Sequence, residues 1–421
     1  MLKDLLKKGR IITKINSSIY DITDYVEKHP GGDIIKGVGN CNDGTAMFYS
    51  SHFNLPNIDT NPYIYKLSVD EDYIININRK FDYDENGFYM SLKNELYSYF
   101  KKNNIDYSVP TSSNRFIFML NVLLFFINYY YSYIFGYMVC SFTMGVLTWN
   151  FTGTLVHDHG GHRVNVKKNN RWGNLLMSFL NIITFPAGFE THFITSHYGH
   201  HSNIHDKDLD ADDHFMYPLM RWSKNKKLLW FHKYQYIYYP FVYVFYLFSY
   251  YANINLDISN ENWYNKNNHF RSVNKKFYCL LLIVLFGHFF IPLYNLEFML
   301  GIRQIMIFIL TYSFGAVLFA TSSHLLNLES NYPNGDDWAY HTVSTSGDYL
   351  VNDFLASYIS GGFNVHGLHH LFPSIHPSHL GSIYHIYEKK CREFKYPLIK
   401  TNTWKDFFQK ITSNLFILGN E

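Results

Sequence analysis

Two pairs of apolar, uncharged runs interrupt an otherwise polar chain. Phe116 to Ile134 (FIFMLNVLLFFINYYYSYI) and Met138 to Val156 form the first pair, and Tyr278 to Asn295 and Gln304 to Ser322 the second. Each run is close to the ~20 residues that a helix needs to cross a bilayer core. The link in the first pair, YYYSYIFGY, has no Lys or Arg and many Tyr, which suits an interfacial belt. The link in the second holds a single basic residue, Arg303. Segments 157–277 and 323–421 carry nearly all the other Lys and Arg outside the N-terminal region. The positive-inside rule then puts these segments and the N-terminus on the cytosolic side. The pattern predicts four transmembrane helices, with both termini and a cytosolic cap on one side. Two weaker runs, Trp172 to Phe189 and Tyr236 to Ala252, contain Asn181, Pro186 and many Tyr. A crossing by either one alone would separate its flanks, so both are read as interfacial or re-entrant.

Upstream of the first run, residues 1–60 read as a small polar globular unit. Residues 61–114 read as a linker with an amphipathic helix at FYMSLKNELYSYFKKN, and 115–421 as the membrane body. The opening MLKDLLKKGR is too charged for a secretory leader. A formal net charge of +2 makes no case for nucleic acid. Aromatic residues make up 19% of the chain, with 37 Tyr and 37 Phe, as expected of broad membrane–water interfaces. Cys41, Cys140, Cys279 and Cys391 are scattered, form no CxxC pair and read as reduced thiols facing the cytosol.

Histidines cluster at the predicted cytosolic ends of the apolar runs. HDHGGHR (157–163) follows the second run and places His157 beside it, with His162 nearby. SHYGHHSN supplies His197, His200 and His201, and GGFNVHGLHHLFP supplies His366, His369 and His370. His324 follows the fourth run in SSHLLN. Residues three apart share a helix face. His197 and His200 can therefore hold one metal, and so can His366 and His369. The adjacent His201 and His370 point ~100° away and suit a second, nearby metal. His157 and His162 share no helix face, but Gly160 and Gly161 can break the helix and turn both inward; His159 has the i+3 spacing to His162. Neutral imidazole suits iron, zinc, copper or nickel, and spacing alone does not choose among them. A lone histidine more often only hydrogen-bonds. His192, His205, His214, His232, His269, His288, His341, His376 and His379 are read that way.

The N-terminal unit has its own pair: His29 in HPGG and His52 in FYSSH. Two histidines on opposed elements can fill both axial positions of a haem, leaving an iron that carries single electrons rather than binding oxygen.

These stretches together resemble known proteins. Residues 15–53, with YDITDYVEKHPGG, TAMF and the following His, resemble cytochrome b5. Residues 115–400 resemble the membrane fatty acyl desaturases, in the front-end group with a fused N-terminal cytochrome b5 domain. The pieces are HDHGGH, RWGN, HYGHHSN with DLDAD, KYQYIYYPFVY, DDWAYHTVSTSGDY and GGFNVHGLHHLFP, in the family's order. The resemblance implies an α-helical integral membrane protein: a small α+β haem domain at 1–60, a linker at 61–114 and a desaturase domain at 115–421. It implies two non-haem iron ions on His157, His162, His197, His200, His201, His324, His369 and His370. At position 366 the front-end group typically has glutamine; here His366 joins the candidates through its helix spacing. It also implies haem b on His29 and His52, O2 as co-substrate, and electrons from an NADH–cytochrome b5 reductase. The substrate would be a long, polyunsaturated acyl chain, as CoA thioester or phospholipid ester, desaturated on the carboxyl side of an existing double bond. Residence in the endoplasmic reticulum is implied likewise, although the final LGNE is no retention signal.

Three other readings use the same residues: an acyl or sphingolipid hydroxylase, a sphingoid-base desaturase, and a haem electron carrier without a working iron centre. Asp158, Asp208, Asp210 and Asp212 are candidates to support the histidines or to be solvated loop acids.

Overall fold

The computed structural model describes residues 2–30, 35, 38, 42–68, 80–151, 158, 162, 176, 180, 200–201, 204, 217–224, 226–245, 286–320, 326 and 337–421. These are mostly helical.

The N-terminal unit begins with helix α1 (Leu2–Lys7) and strands β1 (Ile12–Ile15) and β2 (Ser18–Asp21). The two strands pair antiparallel. Their tight link turns on Asn16 at φ 55°, a conformation that Asn tolerates better than most residues. Side chains alternate across a strand. Ile12 and Ile19 therefore pack beside Leu5 and Leu6 of α1, while Ile15 and Tyr20 join Val26 on the other face. A 3-10 turn (Thr23–Lys28) leads to His29. Strand β3 (Asn42–Asp43) adds in parallel to β1. Asp43 Oδ1 then accepts from the N–H and hydroxyl of Thr45 at 3.0 and 2.6 Å, which starts helix α2 (Thr45–Ser51) and delivers His52 at its end. Strand β4 (Tyr65–Leu67) pairs with β2 and completes the order β3–β1–β2–β4.

Helix α3 (Phe88–Lys102) buries Phe88, Tyr89, Leu92, Lys93, Leu96 and Phe100, which recur at three- and four-residue spacing along one face. Helix α4 (Ser112–Phe135) is capped by Thr111, which accepts from Asn114 N at 3.3 Å, and stops at Gly136 with φ 77°. Helix α5 (Met138–Phe151) returns immediately. Helix α6 (Gln235–Val244) contains Pro240. Residues 286–295 are helical and lead into helix α7 (Phe298–Ala320). Helices α5 and α7 come very close at Gly145, where a Cβ would lie 2.7 Å from Thr311 Cβ. Small residues permit such approaches between apolar helices.

α4 and the Phe298–Gly315 part of α7 are long and apolar enough to cross a membrane; α5 is apolar but shorter over the described residues. α4 exposes Phe116, Met119, Leu123 and Phe126. Such an exposed apolar face is unfavourable in water but suits lipid. The sequence reading puts Arg303 in a link, but the structure puts it inside a helix. α7 already begins at Phe298, and the Arg303 Nη2 donates at 3.3 Å to Gly136 O at the end of α4. Gln304 Nε2 donates to the same oxygen at 2.6 Å. The long side chain reaches back to unpartnered helix-end carbonyls, so its charge tolerates a place inside an apolar helix.

The C-terminal part comprises α8 (Trp338–Thr345), β5 (Gly347–Tyr349), α9 (Phe354–Ser360), α10 (His366–Leu371), α11 (Leu380–Phe394), β6 (Ile399–Thr401) and α12 (Trp404–Asn420). β5 and β6 pair in parallel. One buried core runs from Ala46, Tyr49 and Phe53 of the N-terminal unit, through α3, to Trp338, Leu368, Leu371, Phe372 and Tyr387.

Candidate metal centre and haem pair

Helix α10 carries three of the candidate ligands in six residues, and its surroundings fix it from both ends. Before it, Gly361 and Gly362 adopt φ 63° and 94°. A Cβ on Gly362 would also lie 2.6 Å from Pro377 Cβ, so this turn needs glycine twice over. Asn364 Nδ2 donates to Leu350 O at 3.1 Å. The buried carboxylate of Asp348 accepts from Gly367 N at 2.9 Å and from the Tyr384 hydroxyl at 2.9 Å. Burial pushes this carboxyl up to about 7, against the hydrogen bonds from Gly367, Tyr384 and the His366 N–H. Asp348 thus satisfies backbone donors at the start of α10 that have no partner within the helix.

The described histidines gather into two groups: His162 with His201 and His369, and His200 with His366 and His370. Within each group, one ring nitrogen per residue lies within 4.8 Å of the others. In the first, the ring centroids are 4.5 Å (His162–His201), 5.0 Å (His162–His369) and 5.1 Å (His201–His369) apart. In the second, His366 and His370 approach at 2.6 Å between their Nε2 atoms, and His200 and His370 have centroids 4.9 Å apart. His201 stacks on His370 at 4.3 Å, so the groups adjoin. All but His162 are buried.

Of the groupings that helix spacing permits, the structure shows one. His366 sides with His370, four residues on, and His369 faces the other group. Both i+3 and i+4 are neighbours on a helix, so spacing permits either grouping; the segments bearing His162, His200 and His201 select one. His157, His197 and His324, with His159, lie outside the described residues. So do Asp208, Asp210 and Asp212, whereas Asp158 is buried.

Burial also sets the protonation. It holds His162 and His370 well below the ordinary imidazole range, helped by neighbouring histidines, and pushes His369 down to about 3, helped by His200. These three rings are therefore held neutral. Neutral rings present nitrogen lone pairs, the donor set suited to iron and other borderline metals. The residues therefore fit a pair of metal ions.

In the N-terminal unit, His29 and His52 face each other with centroids 6.0 Å apart and rings at 84°. His52 Nδ1 lies 2.8 Å from Phe48 O, so it carries the proton and Nε2 keeps its lone pair. Burial lowers the His52 pKa, which again favours the neutral ring. This pair fits axial ligation of a haem.

Other histidines make hydrogen bonds. His232 Nε2 lies 2.7 Å from Pro218 O, and His379 Nε2 2.8 Å from Val109 O. His376 pairs with Ser378, and His288 with the Tyr133 hydroxyl. His341 Nε2 meets Ile204 O, which ties α8 to the segment bearing His200 and His201. Sequence reasoning missed His341 and Asp348 as supports. The only signal was their place within DDWAYHTVSTSGDY.

The assembly is that of a helical protein with a histidine-rich metal centre and an appended haem-type unit. Comparison with known proteins gives the class. The fatty acid desaturase profile matches residues 110–402, and the cytochrome b5-like heme/steroid binding domain profile matches residues 1–67. The chain is 26% identical over 437 residues to a probable Delta(5) fatty acid desaturase C of Dictyostelium discoideum, covering 96% of this chain and 90% of the relative. It is 26% identical over 440 residues to an acyl-lipid (8-3)-desaturase B of that organism, covering 97% and 91%. With an acyl-lipid (8-3)-desaturase of Physcomitrium patens it shares 25% over 416 residues, covering 92% and 83%. No solved structure matches the chain significantly. The chain belongs to the fatty acid desaturase family, membrane-bound oxidoreductases, with a cytochrome b5-like domain fused at its N-terminus.

Proposed function

We propose that this desaturase introduces a double bond into a long, polyunsaturated acyl chain, on the carboxyl side of an existing double bond. The observation that carries the reading is the pair of adjoining, largely buried histidine groups that meet on α10. The Delta(5) and (8-3) names of the relatives support the carboxyl-side position.

The overall reaction is R–CH2–CH2–R′ + O2 + 2 e− + 2 H+ → R–CH=CH–R′ + 2 H2O. Iron bound at the two groups supplies the oxygen chemistry that takes hydrogen from an unactivated methylene, which no acid–base side chain can do. His162, His201 and His369 would hold one ion, and His200, His366 and His370 the other; His157, His197 and His324 are further ligands. Asp348 and His341 keep the bearing segments in place. The buried setting excludes bulk water. Haem b on His29 and His52 would supply single electrons, received from an NADH–cytochrome b5 reductase.

The domain limits we assign are 1–67 for the haem unit and 110–402 for the desaturase core. The four-crossing arrangement is supported by α4, α5, the helix ending at 295, and α7. Both termini and the histidine centre then face the cytosol, in the endoplasmic reticulum membrane.

The test is expression in yeast fed a panel of polyunsaturated fatty acids, with double bonds mapped by gas chromatography–mass spectrometry. A new carboxyl-side double bond is the expected product. A hydroxylated chain, a desaturated sphingoid base, or no new lipid would overturn the proposal.

A further inference from the structure

The N-terminal unit does not merely hang on a linker; buried aromatic contacts join it to the metal centre. Phe53, bonded to His52, is 3% exposed, and Phe372, two residues beyond His370, is fully buried. Their rings meet edge to face with centroids 5.7 Å apart. This contact therefore links the segment bearing one candidate haem ligand to the helix bearing three candidate iron ligands. Tyr89 of α3 closes over it. Its ring stacks on Phe372 at 5.0 Å. Its hydroxyl lies 2.9 Å from Tyr49 O on one side and 3.2 Å from Leu371 O on the other, with one proton to share between them. Lys93, one turn on, donates to Tyr49 O at 3.1 Å and to His52 O at 2.7 Å.

Those two carbonyls lie at the C-terminal end of α2, where helix carbonyls lack partners and the dipole favours a cation. Lys93 is 3% exposed. Burial pushes its ammonium down to about 7. A linker that merely spaced two mobile domains would have no use for a buried lysine. An element that must hold one helix end at a fixed place does.

We infer that this contact is a built electron bridge. Tyr89 and Lys93 fix the haem unit on the desaturase body of its own chain, and electrons cross from the His52 side to the His370 side through Phe53 and Phe372. The inference rests on the desaturase reading above. With haem held by His29 and His52 and iron held by the histidine groups, each crossing would carry one electron, balanced by one-electron oxidation of the haem side and one-electron reduction of the iron side. No bond would change and no proton would cross the bridge. A reductase would return the electron to the haem side, and two crossings would serve one double bond.

The test uses the full-length holoenzyme with its haem pre-reduced, mixed with oxygen and acyl substrate while the Soret band is followed. Reoxidation should be first order, at a rate independent of enzyme concentration. Phe53→Leu, and Tyr89→Phe combined with Lys93→Met, should keep the visible spectrum and the haem midpoint potential. Both should slow reoxidation several-fold. A rate that scales with enzyme concentration, or equal rates in all three proteins, would overturn the bridge. A second measurement does not depend on those variants. Chains carrying His29→Ala are mixed with chains carrying His369→Ala. The mixture should make no product, whereas product would mean that the haem unit serves other copies. Wild-type chains that make no product at all would instead sink the desaturase reading, and the bridge with it.

Discussion

The two histidine sites are built from the same side chain and differ in almost everything else. The candidate haem pair has two rings, one after a short 3-10 turn and one at the end of α2, and a backbone carbonyl sets the tautomer of His52. The candidate metal centre brings together six described rings from three separate stretches of chain, packed so closely that four of them help to keep His370 neutral. A two-ligand site needs only a small sheet to aim its histidines. A two-metal site needs a rigid body, because each ligand comes with its own backbone to hold. Asp348 under α10 and His341 against Ile204 supply some of that rigidity. The difference teaches where to look for function in such a chain: the ligands advertise themselves, and the supports do not.

The sharpest way to break this comparison is to remove one ring. His369→Ala should lower desaturation to background and reduce the non-haem iron content, with the Soret band unchanged. Retained product in that variant would remove His369 from the ligand set. The converse is His29→Ala, which should abolish the Soret band and cut turnover severely while leaving the non-haem iron bound. An unchanged Soret band would exclude His29 as an axial ligand.

A smaller effect should come from the supports. Asp348→Ala strands the buried donors of Gly367 and Tyr384, at about 1–3 kcal/mol each. Iron content and thermal stability should both fall, and Asp348→Asn, which keeps an acceptor, should recover part of each. If Asp348→Ala binds iron as the wild type does, Asp348 is not a support of the centre. The smallest effect should be at the rim between the regions. Lys389 pairs with Glu95 of α3 at 3.2 Å, half exposed. Lys389→Met should cost no more than about 1 kcal/mol, read as a small shift in melting temperature. A large shift would mean that the docking of α3 depends on surface charge rather than on its buried face.

Much of this was legible in the sequence because it is local. Apolar runs of membrane-crossing length, the facing of α3 and the HxxHH spacing are properties of neighbouring residues, and helical geometry converts them directly into faces. HPGG and FYSSH marked His29 and His52 as candidates for the same reason. The grouping of the ligands was not local. His369 and His366 are both permitted partners on a helix, and only the arrival of His162, His201 and His200 from distant segments decided which ring joins which. Arg303 read as a link residue because charge disfavours a membrane helix; its escape route, the carbonyl of Gly136, lies on another helix. Lys93 read as one more charge on an amphipathic helix, yet it is buried because α2 ends where its ammonium can reach. The sequence by itself determined the elements, their faces and the candidate ligands, since these follow from spacing along one backbone. Only the tertiary structure decided which ligands share a site and which polar groups find partners, since those depend on distances between segments that no local spacing encodes.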